Sequence, residues 1–253
     1  MRVLVVTAVA AEADAVCAGL GTDPAPVPVL LPGGYALASH PAADVLAAGV
    51  GPAAAASGTA TALAAATLAR SPATATSPAP ARSASPSPPP SPYDLVVSAG
   101  IGGGFQPSAP VGSLVVADAI VAADLGAGTP DGFLPVDELG FGRTVHHPPP
   151  ELSARLAGLL GAAYAPVLTV STVTGSAART AELTMRHPRA AAEAMEGFGV
   201  AEAAAAYGVP VVEIRAVSNA VGPRDRSAWR IGQALEALRS AFRQLSPVFE
   251  EST

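Results

Sequence analysis

Apolar runs of strand length alternate with helical patterns along this chain, and this alternation constrains the fold more than any other feature. Residues 2–8 form a nearly continuous apolar and β-branched run, and residues 94–100 form a second one. Runs that are apolar at every position are typical of strands covered by helices on both faces of a sheet. We therefore predict an α/β fold of three layers, αβα, with a central sheet.

The remaining elements follow from the same patterns and from the positions of Gly and Pro. The strands after Gly100 succeed one another without an intervening helix, so we expect a mixed and curled sheet. Residues 129–150 are rich in Gly, Pro and Asp and predict a loop. The chain has 253 residues, which suits one large domain over residues 1–253. Further strands are predicted over residues 27–31, 35–38, 44–48, 112–122, 166–173 and 213–219, and helices over residues 11–20, 52–70, 151–163 and 228–245.

Charge and cysteine content argue against several classes of function. The net charge is −6, and a nucleic-acid partner would need a basic face. The single cysteine, Cys17, can form neither an intrachain disulfide nor a thiolate metal site, and it suits a reducing cytoplasm. No strongly apolar stretch reaches the roughly 18 residues of a membrane span. Glu12 and Asp14 interrupt the apolar start of the chain, which argues against the alternative of a signal peptide.

Residues 71–92 form a low-complexity segment of Pro, Ser, Ala and Thr with one Arg. Such a composition cannot build a packed core. We predict a mobile surface insertion between a helix and the next strand. The alternative is a Pro-rich arm that binds a partner.

Glu12 and the Met195-Glu196 pair are the first candidates for a functional site. Glu12 follows the first predicted strand, where α/β proteins gather their sites, and its carboxylate could take a proton from water. Met195-Glu196 opens a small-residue helix that runs through Ala205. An ionised carboxylate can accept from both vicinal hydroxyls of a ribose, and a thioether offers the sugar an apolar floor. Taken alone, each has an ordinary alternative as a first-turn charge or a core Met.

Ser218-Asn219 ends the last predicted core strand and supplies the third candidate. An amide both donates and accepts, so Asn219 can hydrogen-bond to the edge of a 6-oxopurine base. A site built to pair polar groups in this way rejects an analogue whose groups do not match. The alternative is that Asn219 occupies a left-handed turn position.

The glycine cluster from Gly100 to Gly104 does not fit a dinucleotide-binding turn. Phe105 stands where that motif needs Gly, and Gln106-Pro107 follow in place of a helix, so we predict no nicotinamide or flavin cofactor. Glycines here could let the backbone approach a flat ligand or a sugar closely. The alternative is a tight connection without ligand contact.

The basic and His-containing segments are less specific. Arg224, Arg226 and Arg230 fall within seven residues and could pair with a substrate carboxylate, or they could lie on a solvated helix start. His146 and His147 are adjacent, so their side chains diverge in a strand. They lack a matching ligand set, so we predict no metal site.

Together these motifs resemble the nucleoside phosphorylase and nucleosidase superfamily, and within it the futalosine hydrolase family. No single motif is unique, but their order and spacing are specific and cover nearly the whole chain outside the Pro-rich segment. Ser218-Asn219 differs from the Ser-Asp of adenine-specific members and favours a 6-oxopurine as the leaving base. The motifs are V-L-V-V-T-A-V-A-A-E (3–12), A-A-G-V-G-P-A-A-A-A (47–56), V-V-S-A-G-I-G-G-G-F (96–105), E-A-M-E-G-F-G-V-A-E-A (193–203) and R-A-V-S-N-A-V-G-P-R-D-R-S-A-W-R-I (215–231).

The resemblance implies hydrolysis of futalosine to hypoxanthine and dehypoxanthine futalosine, a step of a menaquinone route, by a homodimer or larger homo-oligomer. It implies that Glu12 activates water, that Glu196 binds the ribose hydroxyls above Met195, and that Asn219 contacts the purine. The substrate carboxylate would meet Arg224 or Arg179. The remaining substrate contacts that we expect are Gly51, Gly100, Phe105, Thr174 and Ser218.

Two rival functions stay open at the level of sequence. A purine nucleoside phosphorylase, or a methylthioadenosine-type nucleosidase, would share the fold. Phosphorolysis needs an anion site, yet no Arg or Lys lies between Arg2 and Arg70, and only backbone N–H groups near Gly51 could bind an anion. A nucleoside-binding protein without catalytic activity is the second rival.

Overall fold

The computed structural model describes residues 1–41, 43–70 and 91–250. The predicted mobile insertion at 71–92 lies outside the described residues except for Ser91 and Pro92, so it stays a prediction. In chain order, the helices are α1 (Ala10–Leu20), α2 (Pro52–Arg70), α3 (Pro150–Leu160), α4 (Ala177–Arg186), α5 (Gly197–Ala206) and α6 (Ile231–Glu250). The strands are β1 (Val3–Thr7), β2 (Val27–Leu30), β3 (Ala36–Ser39), β4 (Ala43–Ala47), β5 (Leu95–Gly104), β6 (Leu114–Ala122), β7 (Gly126–Thr129), β8 (Gly132–Pro135), β9 (Val145–His146), β10 (Ala163–Thr169), β11 (Ala192–Ala194) and β12 (Val211–Ala220).

The central sheet has ten strands, and it is both mixed and curled, as the sequence predicts. Its main path runs β11-β10-β6-β12-β5-β1-β4-β3-β2, with β9 on β6. Strands β4, β1, β5 and β12 are parallel, whereas β6 is antiparallel to β12. The short strand β11 pairs with both β10 and β5, so one end of the sheet closes on itself.

Helices cover both faces of the sheet and form the outer layers. On one face Leu4 and Val6 of β1 belong to a buried cluster with residues of α2 and α5. On the other face Val3 and Val5 belong to a cluster with residues of α1, α3 and α6. The alternation along β1 explains why every position of this strand is apolar. In the part of the chain that the structure describes, no helix is both long and apolar enough to cross a membrane.

Strand β5 extends beyond its predicted end at Gly100 and runs through the glycine cluster to Gly104. The glycines are needed because neighbouring segments pack directly on this strand. A Cβ on Gly104 would lie 2.0 Å from the carbonyl oxygen of Ala109, and one on Gly102 would lie 2.7 Å from that of Glu193. The predicted end of this strand at Gly100 is therefore wrong, and the backbone of Gly102 and Gly103 forms the floor of the region described next.

Two other predicted boundaries also change. The predicted loop over residues 129–150 contains the end of the hairpin β7/β8 and the short strand β9. The last helix begins at Ile231 and not at Ala228, because Arg226–Ala228 forms a separate 3-10 turn. Asp225 caps that turn by accepting from the backbone N–H of Ser227, at 3.0 Å.

Candidate active site

A cavity of about 330 Å³ opens where β1, β5 and β12 end, and it brings the three main predicted side chains together. Glu12, Glu196 and Asn219 all line it, although they are far apart in the sequence. The carboxyl ends of parallel strands are the usual place for a site in an α/β fold. The three side chains that the sequence analysis selected therefore share one cavity.

Glu12 lies in the first turn of α1 and is fixed by three backbone N–H groups. Its Oε2 accepts from Ala8 at 2.9 Å and from Val9 at 3.2 Å, and its Oε1 accepts from Ile101 at 2.9 Å. The side chain is only 4% exposed. The contact with Val9 caps the start of α1. Glu12 therefore stabilises the first turn of this helix and also lines the cavity. All of its partners are donors, and with two of them on Oε2 and one on Oε1, a lone pair on Oε1 is left to accept a proton.

Glu196 lies at the junction of β11 and α5 and faces the same space. Its Oε1 accepts from the backbone N–H of Gly51, and its Oε2 accepts from Nη1 of Arg215, both at 3.1 Å. The neighbouring Met195 also lines the cavity. Gly51 does not line the cavity, and its role in the structure is to hold this carboxylate.

Arg215 is a residue that sequence reasoning missed. It is 0% exposed, and its guanidinium donates to Glu213 at 2.8 Å through Nε, to Glu196 through Nη1, and to Ser98 at 3.0 Å through Nη2. Burial acts to lower the pKa of Arg215, but the carboxylates of Glu213, Glu196 and Glu12 outweigh it, so the net pKa is raised. The cation therefore lies behind the cavity with its charge compensated.

A signal for this network was present in the sequence. Glu213 and Arg215 are two residues apart in the otherwise apolar strand β12, so they lie on the same face. Charged residues inside such a run are almost always paired when they are buried. Burial raises the pKa of Glu213, an effect that the charge of Arg215 opposes.

Glu193 is the second residue that was missed. It lines the cavity from β11, is 4% exposed, and accepts from the backbone N–H of Thr174 at 2.8 Å. The hydroxyl of Thr174 donates to its other oxygen. Thr174 itself lines the cavity, as the sequence analysis expected. Burial raises the pKa of Glu193, and the hydrogen bonds from Thr174 act against that rise.

Ser218 and Asn219 lie side by side at the end of β12 and both line the cavity. The hydroxyl of Ser218 lies 2.8 Å from Oδ1 of Asn219 and 3.2 Å from the carbonyl oxygen of Gly102. Nδ2 of Asn219 donates to the carbonyl oxygen of Ala220 at 2.9 Å and retains a second hydrogen. Asn219 is in strand β12 with no positive φ, so the left-handed turn alternative is wrong.

Besides Gly51, four expected contacts do not line the cavity. A Cβ on Gly100 would lie 2.7 Å from Oε1 of Glu12 and 2.8 Å from Nη1 of Arg215, so this glycine makes room for side chains and not for a ligand. Phe105 packs in a buried apolar cluster beside β5. Arg179 is ion-paired with Glu182 at 2.7 Å. The fourth is Arg224, an exposed residue whose guanidinium lies 5.4 Å from the ring centroid of Trp229.

Trp229 connects Arg224 to the site, since this ring does line the cavity. Arg226 lies 5.9 Å from the same ring. The predicted divergence of the two histidines is also seen, because His146 is buried and His147 is exposed. Within the described ranges, no group of three or more His, Cys, Asp or Glu residues is arranged to hold a metal ion.

Comparison with known proteins assigns the chain to a family. Residues 33–246 match the model of the phosphorylase superfamily. A futalosine hydrolase of Streptomyces coelicolor is 59% identical over 251 residues, which cover 99% of this chain and 97% of that protein. The chain belongs to the futalosine hydrolase family. The family resemblance derived from the motifs is thus confirmed.

A second member of the futalosine hydrolase family, from Acidothermus cellulolyticus, is 46% identical over 249 residues, or 96% of this chain and 89% of that protein. Among solved structures, a 5′-methylthioadenosine/S-adenosylhomocysteine nucleosidase from Colwellia psychrerythraea superposes with a TM-score of 0.73 at 20% identity. That match covers 99% of this chain and 95% of the other. It confirms the nucleoside phosphorylase and hydrolase type of fold.

Proposed function

We propose that this protein hydrolyses the N-ribosidic bond of futalosine and releases hypoxanthine and dehypoxanthine futalosine, as a step in menaquinone biosynthesis. The observation that carries the proposal is the convergence of Glu12, Glu196 and Asn219 on one cavity in a chain 59% identical to a futalosine hydrolase. These three side chains supply a base, a sugar ligand and a purine ligand.

Glu12 is proposed as the general base. A water oxygen forms a bond to the anomeric carbon of the ribose while the bond from that carbon to the purine nitrogen breaks. Glu12 takes a proton from the water, the purine leaves with the bonding electron pair and takes up a proton from solvent, and Glu12 releases its proton to solvent. The transition state is oxocarbenium-like, as in glycoside hydrolysis generally. A positioned general base of this kind contributes typically 10²–10⁴-fold to the rate.

Glu196 and Asn219 are proposed to bind the two ends of the nucleoside. Oε1 of Glu196 accepts only from Gly51 and retains a lone pair for a ribose hydroxyl, whereas Oε2 already accepts from Arg215 and from the backbone N–H of Met195. The apolar side chain of Met195 lies beside it under the sugar. The free hydrogen on Nδ2 of Asn219 can donate to N7 or O6 of the purine and so stabilise the charge that develops on the leaving base.

Hydrolysis is favoured over phosphorolysis by the charges around the cavity. Three carboxylates line it, those of Glu12, Glu193 and Glu196, and no Arg or Lys is among its described lining residues. The nearby Arg215 already donates through all three of its nitrogens. The net negative charge of the cavity would repel a phosphate dianion, whereas it would not repel a neutral water molecule.

The carboxylate of the 5′ substituent is proposed to bind near Arg224. The indole of Trp229 lines the cavity and carries Arg224 on its face, so an aromatic acid could lie along the indole with its carboxylate at the guanidinium. Arg179 is the less favoured candidate, because Glu182 already pairs with it. Arg224→Ala is expected to raise KM for futalosine more than KM for inosine, which lacks the carboxylate.

Release of free base tests the proposal. The protein is incubated with futalosine, inosine and methylthioadenosine, with and without phosphate, and products are separated by liquid chromatography. We expect hypoxanthine from futalosine at a rate that does not depend on phosphate. Formation of a sugar 1-phosphate would show that the protein is a phosphorylase and not a hydrolase. Absence of turnover on all three nucleosides would favour a binding protein without catalytic activity.

Oligomeric state and location are part of the same proposal. Val50 and Val173 line the cavity and are 57% and 40% exposed, an apolar rim that a second copy could cover. We infer a homodimer or larger homo-oligomer, which size-exclusion chromatography with light scattering tests. The single free cysteine, Cys17, suits a reducing cytoplasm.

A further inference from the structure

Glu193 has no role in the mechanism above, although it is a buried carboxylate in the wall of the same cavity. We propose that Glu193 is a specificity-determining residue that accepts a hydrogen bond from N1–H of a 6-oxopurine. This inference rests on the proposed function, since it concerns the base of the nucleoside that the cavity would bind. It adds a second contact to the purine, at N1, which adjoins the N7 and O6 edge that Asn219 would hold.

The register of the curled sheet places Glu193 and Asn219 on either side of one glycine. Glu193 on β11 pairs with Gly103 of β5, and Asn219 on β12 pairs with the same Gly103 from the other side. Paired residues of neighbouring strands project to the same face, and two strand spacings separate the two Cα atoms by roughly 10 Å. Both side chains do line the cavity.

The glycine between them leaves an open slot. A Cβ on Gly103 would lie 3.0 Å from Cγ2 of Val221 and 3.3 Å from Nδ2 of Asn219, so a side chain there would crowd the amide. Gly102 and Gly103 both line the cavity as bare backbone. A flat purine can therefore lie across β5 with N1 toward Glu193 and the N7 and O6 edge toward Asn219.

The hydrogen bonds of Glu193 suit an acceptor. Thr174 donates to both of its oxygens, one from the backbone N–H and one from the hydroxyl. Each carboxylate oxygen keeps a further lone pair. Burial raises the pKa of Glu193, and the charge of Arg179 only partly opposes that rise, since the ion pair of Arg179 is with Glu182. A carboxylate that is buried without a direct cationic partner costs stability, which favours a functional reason for its presence.

The base that such a carboxylate selects follows from the atoms at purine position 1. A 6-oxopurine carries a hydrogen on N1 and can donate it to Glu193. Adenine carries a lone pair on N1, which would face the carboxylate lone pairs without a hydrogen between them. Hydrogen bonds to charged groups are the stronger class, so the expected discrimination is about 10–100-fold.

Binding of free bases tests this inference without depending on turnover. The chain has one tryptophan, Trp229, which lines the cavity, so its fluorescence can report the Kd of hypoxanthine and of adenine. Wild-type protein should prefer hypoxanthine, and Glu193→Gln should reduce that preference about 10-fold or more. The ratio of the two Kd values does not depend on the folded fraction of a variant. Glu236→Gln, on the exposed face of α6, is the matched control and should keep the wild-type ratio.

The outcomes separate the two proposals. A wild-type protein without preference for hypoxanthine, or a Glu193→Gln variant that keeps the full preference, would overturn the role of Glu193. If the preference is present and is lost in Glu193→Gln but futalosine is not cleaved, the role of Glu193 stands and the proposed hydrolysis falls. If futalosine is cleaved but Glu193→Gln keeps the wild-type base preference, the proposed hydrolysis stands and the role of Glu193 falls.

Discussion

At the scale of single residues, Glu12 combines a fixed position with free acceptor capacity. Three backbone N–H groups hold its carboxylate, so Glu12→Gln keeps the size of the side chain but turns one oxygen into a donor that faces another donor. We expect kcat on futalosine to fall about 10²–10⁴-fold. Hypoxanthine binding, read from Trp229 fluorescence, should change less than threefold or so, because Asn219 and Glu193 remain. A variant with the wild-type kcat would remove Glu12 from the mechanism.

Arg215 is the residue whose loss should be most costly to stability. It is 0% exposed and bonded to Glu196 and Glu213, so Arg215→Met leaves two buried carboxylates without their cation. Breaking a buried pair in this way costs about 3–5 kcal/mol, which urea unfolding measures. The control is Arg239→Met, which removes an exposed pair with Glu236 and should cost about 0–1 kcal/mol. Equal effects of the two substitutions would show that the buried network is not a major source of stability.

The site residues that were predicted from the sequence and those that were missed differ in their position within the secondary structure. Glu12 follows an apolar strand, Asn219 ends one, and Glu196 opens a small-residue helix, so each stands at an element boundary that is visible in one dimension. Glu193 lies on a strand of three residues, Ala192–Ala194, which is too short to show a pattern. Arg215 lies within a strand, and its partners Glu196 and Ser98 come from other elements. Only the pairing of strands makes these contacts visible.

At the scale of elements, strand β5 supplies the backbone against which the site is built. Gly100 lies where a Cβ would meet Glu12 and Arg215 within 2.8 Å, so Gly100→Ala should displace both side chains. A displacement of about 1 Å can cost 10²-fold in rate, and we expect a loss of kcat/KM of that order. Gly128→Ala on β7 is the matched control, because a Cβ there meets nothing within 4 Å. Wild-type activity in Gly100→Ala would mean that the carboxylate can move without consequence.

Element types were predicted well, and element ends less well, for a physical reason. Hydrophobic periodicity reports burial, so the apolar strands β1 and β12 were predicted within two residues of their ends. Glycine gives no such signal, so the strand was predicted to end at Gly100 and the last four residues of β5 were not assigned to it. That error also misplaced Phe105, which follows a strand and packs in a buried cluster beside it.

At the scale of the whole molecule, the closure of the sheet forms the part of the site that would bind the purine. Strand β11 joins β10 to β5, and this brings Glu193 to the level of Gly103 although 90 residues separate them in the chain. The sequence predicted a curled sheet from consecutive strands. It could not predict which strand would close the curl, because that choice depends on packing between distant segments.

Glu193 should contribute measurably to the way in which the stability of the whole molecule changes with pH. Burial raises its pKa above the ordinary value of 4.5, with Asp124 acting in the same direction and Arg179 and Thr174 against it. The folded state then binds its proton more tightly than the unfolded chain, so this group's contribution to stability falls as pH rises from 4.5 through the raised pKa. Glu193→Gln removes that loss. Its melting temperature should exceed the wild-type value increasingly between pH 4 and pH 8, by about 2–4 °C for each kcal/mol gained.

The matched control for this measurement is Glu236→Gln, whose carboxylate is exposed on α6. Its melting temperature should follow the wild-type value across the same range, because this side chain lies on the surface, away from the cavity. A constant offset between Glu193→Gln and wild type would show that burial does not disfavour the ionised form. A widening offset together with a lost base preference would identify Glu193 as a group that lowers stability and is kept for recognition. Both measurements use the same two variants, so the structural and functional consequences of this carboxylate can be compared directly.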